Sequence, residues 1–478
     1  MRFARTTAAG SSPQPHDAPP VRDEPLAADA SGSLRGSASL LGYDSANPVT
    51  KQSTVIPPAE FEVAPGQAKD PDLGLYIDLS TVQNPQPLQG STSAPTDPGP
   101  RTQAYDRLNS DLFIPPTTDA GDVSNAKWPF ALSHNRHGIA GSGWARSQNT
   151  DQLPVSVAMA GVNMRLSPNA YRELHWHKQG EWALMLNGSV RIASINEAGQ
   201  SFVDDVQEGD VWFFPPGIPH SIQAFENGCE FLLVFNDGSF SEDNTFLLSE
   251  LMLRNPKEVL AKNFRTDVKT FDNISKEQLW IFPGSAPPPA DISEQNVTGP
   301  AGSIPKDQAY TFHWSQQEAL KVPGGSIKIL DPSTFPIAST FSAALVTIEP
   351  GAMREVHWHT TSDEWTYFLA GTARLTVYEA PSASRTFDFS AGDVGYVPVP
   401  NAHYLENTGN ETLVFLEVLQ ASQYSDISVN QWLGLTPKQI VKDHLNVGDA
   451  FLDTLRKTEE FVVKGNRDLT TTDFSEGA

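Results

Sequence analysis

Arg172 to Trp182 reads Arg-Glu-Leu-His-Trp-His-Lys-Gln-Gly-Glu-Trp, and it holds three potential metal ligands, His175, His177 and Glu181. The phrase recurs at Arg354 to Trp365 with His357, His359 and Glu364 as counterparts. A further histidine follows in each half, His220 after Pro-Pro-Gly-Ile-Pro and His403 after Pro-Val-Pro-Asn-Ala. On a β-strand the two histidines of His-Trp-His point to one face and the tryptophan to the other, so both imidazoles can chelate one cation. Three imidazoles and one carboxylate fill four positions of an octahedron and leave two open. Such a nitrogen and oxygen set without thiolate suits Mn, Fe or Ni rather than a closed structural zinc site. Two adjacent open positions can take a small bidentate anion, dioxygen or both. A lone histidine is more often a polar edge residue or a satisfied core group. The recurrence of all four ligand types in both halves makes metal binding the better reading.

Two copies of one β-rich domain must position these residues. From about 130 to 265 short apolar runs alternate with Gly, Pro and Asn, as in Trp182 to Leu186, Asn187-Gly188, and Val190 to Ile195. Asn-Gly between two such runs predicts a hairpin. Asn255-Pro256-Lys257-Glu258 predicts a helix start, with Asn255 as N-cap and Pro256 at the first helical position, running to about Asn263. From about 311 to 455 the plan returns. Gly371 answers Gly188, Gly392-Asp393 answers Gly209-Asp210, Pro398 answers Pro215, and Thr436-Pro437-Lys438 repeats the helix start. The expected organisation is a tail over 1–45, an extended arm over 46–125 that wraps a neighbouring domain or subunit, a first barrel over 126–269, a linker over 270–310, a second barrel over 311–457 and a C-terminal tail over 458–478. The ligand segment is one residue longer in the second copy, so a turn must absorb the difference.

Composition narrows the function. The 478 residues carry a net charge of −24, which disfavours nucleic acid or an anionic membrane as partner. No apolar run is long enough for a transmembrane helix. The single cysteine, Cys229, excludes an internal disulfide framework and reads as a buried, inert thiol. Arg2 and Arg5 are followed by no apolar segment, so a complete secretory signal is not seen.

Both halves resemble cupins, with His-x-His, a nearby Glu, a Gly-Asp turn and a closing Pro segment with His. Residues about 60–460 resemble the bicupin oxalate decarboxylases, most closely the fungal branch. The match is carried by His175-Trp-His177, Asp204-Asp205-Val206, Gly209 to Pro215, Pro219-His220-Ser221-Ile222 and Asn430-Gln-Trp432. The resemblance implies an all-β protein of two tandem jelly-roll barrels with a few flanking helices. It implies two Mn(II) per chain and dioxygen-dependent cleavage of oxalate to formate and carbon dioxide. In the family's usual account a lid glutamic acid protonates the fragment left when carbon dioxide departs. The lid pattern Ser-Glu-Asn-Ser-Thr is matched by Ser241-Glu242-Asp243-Asn244-Thr245, which gives Glu242 that role, with Asp243 and Asn244 as departures. Arg172 and Arg354 match the substrate-pocket arginines, and Glu417 and Tyr424 match neighbours of the second metal. Strand alternation alone would put Arg172 on the face opposite His175, so its pocket role rests on the resemblance. The second copy has no such lid, which points to the first centre as the one that turns over. The tryptophans beside the ligands read as barrel packing. The resemblance further implies a homo-oligomer, trimer or hexamer, and a secreted location. The rival readings are oxalate oxidase, which releases hydrogen peroxide, and a non-catalytic storage-type bicupin.

Overall fold

Antiparallel strands close into two barrels in the computed structural model, which describes residues 115–464. The expected tail over 1–45, the arm before residue 115 and the chain beyond 464 lie outside the described residues.

The first barrel is an 11-stranded sheet whose longest members are Glu181–Ile195 and His220–Phe235. Val162, Met164, Ile192, Phe214, Ile222 and Phe231 fill its interior, each almost wholly buried. The second barrel consists of a 7-stranded and a 6-stranded sheet around Val346, Phe368, Leu375, Phe389 and Phe415. A third apolar cluster, with Phe130, Trp182, Phe213, Trp314, Trp365 and Tyr396, joins residues of both barrels. Trp182 and Trp314 meet edge to face at 6.3 Å, and the Trp365 indole donates to Gln148 across the barrels at 2.7 Å. Such aromatic contacts make the pair one packed body.

Asn187-Gly188 does not turn the chain. It lies inside the continuous strand Glu181–Ile195, at a register shift against His220–Phe235. Gly188 has φ 77°, and a Cβ there would meet the Gly228 carbonyl at 2.2 Å. The Asn-Gly pair thus makes a bulge that bends a long strand around the barrel, which uses the same left-handed backbone as a hairpin turn. The helix after this sheet spans Lys257–Phe264 with Pro256 as its N-cap, while Asn255 closes a preceding helix, Leu248–Arg254. That shorter helix gave no separate sequence signal. In the second half the matching helix Lys438–Leu445 starts after Pro437.

The segment boundaries also differ from the expected ones. Lys127–Pro129 pairs with Asp393–Val397 of the second barrel, and Thr311–Phe312 pairs with Val211–Phe214 of the first. Each barrel therefore borrows an edge strand from the other's side of the chain, and the borrowed strand covers an edge that would otherwise be open. The described end of the arm lies on the second barrel of its own chain, where Ala120 bridges Ser384 and the Asp119 carboxylate accepts from Thr386. The expected linker contributes a strand, Ile281–Phe282, paired with Tyr171–Trp176. Val462–Val463, inside the expected C-terminal tail, pairs with Met353–Trp358.

Candidate active site

The strand Tyr171–Trp176 carries His175, and its partner strand begins at His220, so His175 and His220 face each other in register. Glu181 opens the next strand after the break at Lys178 to Gly180, and His177 stands at the start of that break. The ligand atoms of His175, His177, Glu181 and His220 lie within 4.8 Å of one another, and all four residues are buried. His357, His359, Glu364 and His403 form an equally compact buried set in the second barrel, with His357 facing His403 in register.

Each imidazole is oriented by its own backbone contact. Nδ1 of His175, His177 and His220 approaches the carbonyls of Glu173, Gln179 and Ile218 at 2.6, 2.8 and 2.9 Å. Nδ1 of His357, His359 and His403 approaches the carbonyls of Glu355, Ser425 and Asn401 at 2.7, 2.9 and 3.1 Å. With Nδ1–H donating there, Nε2 is the ring nitrogen left to face the cluster. Burial, reinforced by the neighbouring arginine, holds His175 and His357 well below the usual histidine range, so both are neutral. Burial alone would raise Glu181, yet His177 and His220 beside it hold its carboxyl below the usual value; Glu364 is held down in the same way by His403 and His359.

The second carboxylate oxygens are anchored from behind. The Trp212 indole donates to Glu181 Oε1 at 2.9 Å, and the Thr366 hydroxyl donates to Glu364 Oε1 at 2.5 Å. The remaining oxygen, Oε2, faces Nε2 of His177 at 3.0 Å and of His220 at 3.6 Å; in the second set it faces His359 at 2.8 Å and His403 at 2.9 Å. His220 Nε2 and His357 Nε2 are buried with no hydrogen-bond partner among the described residues. Buried lone pairs that converge in this way need a cation between them. Both sets therefore fit a metal with mixed nitrogen and oxygen preference.

Arg172 reaches the first set despite its spacing. The register of Tyr171–Trp176 against His220–Phe235 shifts between Arg172 and His175, and Arg172 is buried like the ligands. This bulge breaks the period of two that would have turned the side chain away. The same shift between Arg354 and His357 acts in the second barrel. Arg172 Nη2 donates to Glu242 Oε2 at 2.9 Å, and the Trp280 indole donates to the same oxygen at 3.0 Å. Arg172 Nη1 is buried without a partner among the described residues. Glu242 sits in a single 3-10 turn, Glu242–Asn244, and is itself buried.

Arg354 has the opposite surroundings. It donates to Glu417 at 3.4 Å, to the Tyr424 hydroxyl at 3.2 Å and to Asp426, and Glu459 stands 3.8 Å away. Burial depresses the Arg172 guanidinium, whereas the anionic groups around Arg354 outweigh burial and raise it. Arg354 is therefore engaged by several of the protein's own acids, whereas Arg172 pairs with Glu242 alone. Burial raises the Glu417 carboxyl, which accepts from Tyr424. A substrate-binding role for Arg354, implied by the resemblance, has no unengaged donor face to rest on.

Residues that sequence reasoning missed lie behind this site. Glu173 accepts from the backbone N–H of Ser249 at 2.6 Å and of Trp280 at 2.8 Å, and so fixes the indole that holds Glu242. Its counterpart Glu355 accepts from Glu460 and Phe461 N–H at 3.0 and 2.9 Å. The repeated Arg-Glu before each His-Trp-His was the available signal. Trp280 gave none, because it falls in a Pro-rich stretch.

The Cupin family pattern matches residues 132–272 and 315–451. The chain belongs to the cupin family. Within it, the chain is a bicupin of the oxalate decarboxylase type. It is 47% identical over 380 residues to oxalate decarboxylase OxdC of Bacillus subtilis, covering 80% of this chain and 97% of that one. It is 38% identical over 383 residues to a probable oxalate decarboxylase of Arthroderma benhamiae, covering 79% and 93%. The bacterial relative is the more similar of these two, which lends no support to a place in the fungal branch. A solved structure of the Bacillus subtilis enzyme, studied for its Mn(II) centres, superposes with TM-score 0.75 at 46% identity over 80% of this chain and all of that one. The duplicated cupin plan explains why both ligand sets recur with the same strand registers.

Proposed function

We propose that this chain splits oxalate into formate and carbon dioxide at its first centre, with Mn(II) held by His175, His177, Glu181 and His220. The observation that carries the reading is Glu242, fixed beside that centre by Arg172 and Trp280, with Arg172 Nη1 unpartnered among the described residues. Bound manganese supplies a Lewis acid and a one-electron couple, with dioxygen as co-catalyst. The protein's residues do the rest. The buried Arg172 guanidinium receives one oxalate carboxylate through Nη1 while Nη2 keeps the acid in place. Both donors converge on Oε2 of Glu242, so Oε1 is the oxygen that carries the proton for the new C–H bond. The turn Glu242–Asn244 holds Glu242 buried beside the site, so the reacting fragment meets a positioned acid.

His357, His359, Glu364 and His403 hold a second manganese, in a barrel whose arginine is already matched by acids. That centre keeps a structural or electron-transfer role. A homo-oligomer is part of the proposal, supported by exposed apolar side chains on the flanking helices such as Trp432, Leu435 and Phe264. The test is product counting on manganese-loaded protein. Formate and carbon dioxide in equal amounts with little peroxide support the reading. Two carbon dioxides and one peroxide per oxalate would make the chain an oxidase. Glu242→Ala with unchanged metal content is expected to lose most formate; full retention would remove Glu242 from the chemistry.

A further inference from the structure

Asp243, next to the acid, is one of two positions where the lid departs from the pattern it resembles, and it is not idle. Its carboxylate accepts from Arg136 at 2.9 Å. Arg136 lies on the edge strand Asn135–His137, far from the lid in sequence. Its guanidinium also donates to Gln278 and lies 4.1 Å from the centroid of the Trp280 ring. Gln278 in turn donates to Glu250 of the helix Leu248–Arg254 at 3.0 Å. One cation therefore touches the lid residue beside Glu242 and the indole that hydrogen-bonds Glu242.

We propose that Arg136 and Asp243 form an ionic latch, and that Arg136 is a positioning residue for the proton donor. The inference rests on Glu242 being that donor. An exposed ion pair by itself contributes little, and Asp243 is largely exposed. Here the pair acts together with the stack on Trp280, so opening the lid costs an ion pair and unclamps the indole at once. The latch governs partition. When the lid stays shut, the fragment left by carbon dioxide takes a proton, and one hydrogen oxalate ion gives one formate and one carbon dioxide. When the lid opens first, dioxygen takes the electrons, and oxalic acid plus dioxygen gives two carbon dioxides and one hydrogen peroxide.

The test uses the full manganese-loaded chain and the variants Asp243→Asn and Arg136→Gln. Amide hydrogen exchange of the peptide over residues 241–245 is measured beside the formate-to-peroxide ratio. Asp243→Asn removes only the charge and is expected to speed lid exchange about two- to fivefold, the range of an exposed ion pair. Arg136→Gln also removes the stack and is expected to reach about tenfold. Peroxide per formate rises by a similar factor in each variant, with metal content unchanged. Raising salt to about 0.5 M speeds exchange in the parent chain and leaves Asp243→Asn unmoved. Asp243→Asn exchanging at the parent's rate, and speeding up with salt as the parent does, would overturn the latch, even if Arg136→Gln fails to fold. A parent chain that makes no formate defeats the proposed activity, and the exchange measurement still decides the latch.

Discussion

Replacing Arg172 with lysine separates the two tasks assigned to one guanidinium. In the structure Nη2 is committed to Glu242 Oε2 at 2.9 Å, and Nη1 is buried and unpartnered among the described residues. Lysine keeps the charge but ends in a single nitrogen on a flexible stem. It can hold the acid or the substrate carboxylate, not both in the same geometry. The loss is one buried charge-assisted hydrogen bond, about 1.5–3 kcal/mol. That corresponds to a fall in kcat/KM of roughly 10- to 150-fold. Arg354→Lys is the comparison. Arg354 donates to Glu417, Tyr424 and Asp426, so lysine keeps the charge but leaves at least one of these buried acceptors without its donor. Leaving such a buried group unpaired costs about 1–3 kcal/mol, with a drop in Tm on the order of 5 °C. The assay is steady-state oxalate turnover with metal content and thermal unfolding measured on both variants. Arg172→Lys within about threefold of the parent in kcat/KM, with manganese intact, would refute the two-task reading.

Other consequences follow from single contacts. His220→Ala and His403→Ala should each remove about half of the bound manganese by elemental analysis, because each belongs to a separate ligand set. Burial and the contact with Asp426 push the Glu459 carboxyl up to about 9 from an ordinary 4.5. The native state then holds a proton that the unfolded chain releases, so Tm should fall as pH rises from about 4.5 towards 9, and Glu459→Gln should flatten that slope. A parent and variant with parallel profiles would remove Glu459 from the pH response. Burial pushes the Cys229 thiol up to about 12, so alkylating reagents should label it only after unfolding. Rapid labelling of the native protein would contradict its placement behind the Gly188 bulge.

The ligand sets were legible because their chemistry and their duplication are both local in sequence. His-Trp-His followed by Glu needs only strand alternation and a short turn to bring three donors together. What strand period could not show was the face of Arg172, because a bulge between Arg172 and His175 reverses it. Asn187-Gly188 carried a true signal for left-handed backbone, but a bulge and a hairpin use the same residues. The partner strand His220–Phe235, distant in sequence, decided between them. The exchanged edge strands Lys127–Pro129 and Thr311–Phe312 were invisible for a related reason. A strand of two or three residues has no period to read, and its partner lies far along the chain. Trp280 and Arg136 belong with these, since their roles arise only where a Pro-rich segment and an edge strand meet the lid.

The two barrels share a metal cradle yet differ in where their buried arginine is satisfied. A buried guanidinium needs counter-charge in low dielectric. In the second barrel the chain supplies it through Asp426, with Glu417 also in contact with the guanidinium. In the first barrel only Glu242 is supplied, and it arrives on a lid turn rather than on a barrel strand. On the proposed function, the two centres differ in reactivity through that difference more than through the ligands, which match in type and order. An oxalate anion entering the first site meets the unpartnered Nη1 of Arg172, whereas one entering the second would have to displace acids already bound. Adding a Ser-Glu-x-x-Thr lid to the second barrel would therefore not suffice to make it turn over oxalate. Asp426→Asn and Glu417→Gln would also be needed, to return unmatched charge to Arg354. If the lid graft alone conferred turnover on a chain whose first centre is disabled by His220→Ala, the acids around Arg354 would not be what keeps oxalate out of the second barrel.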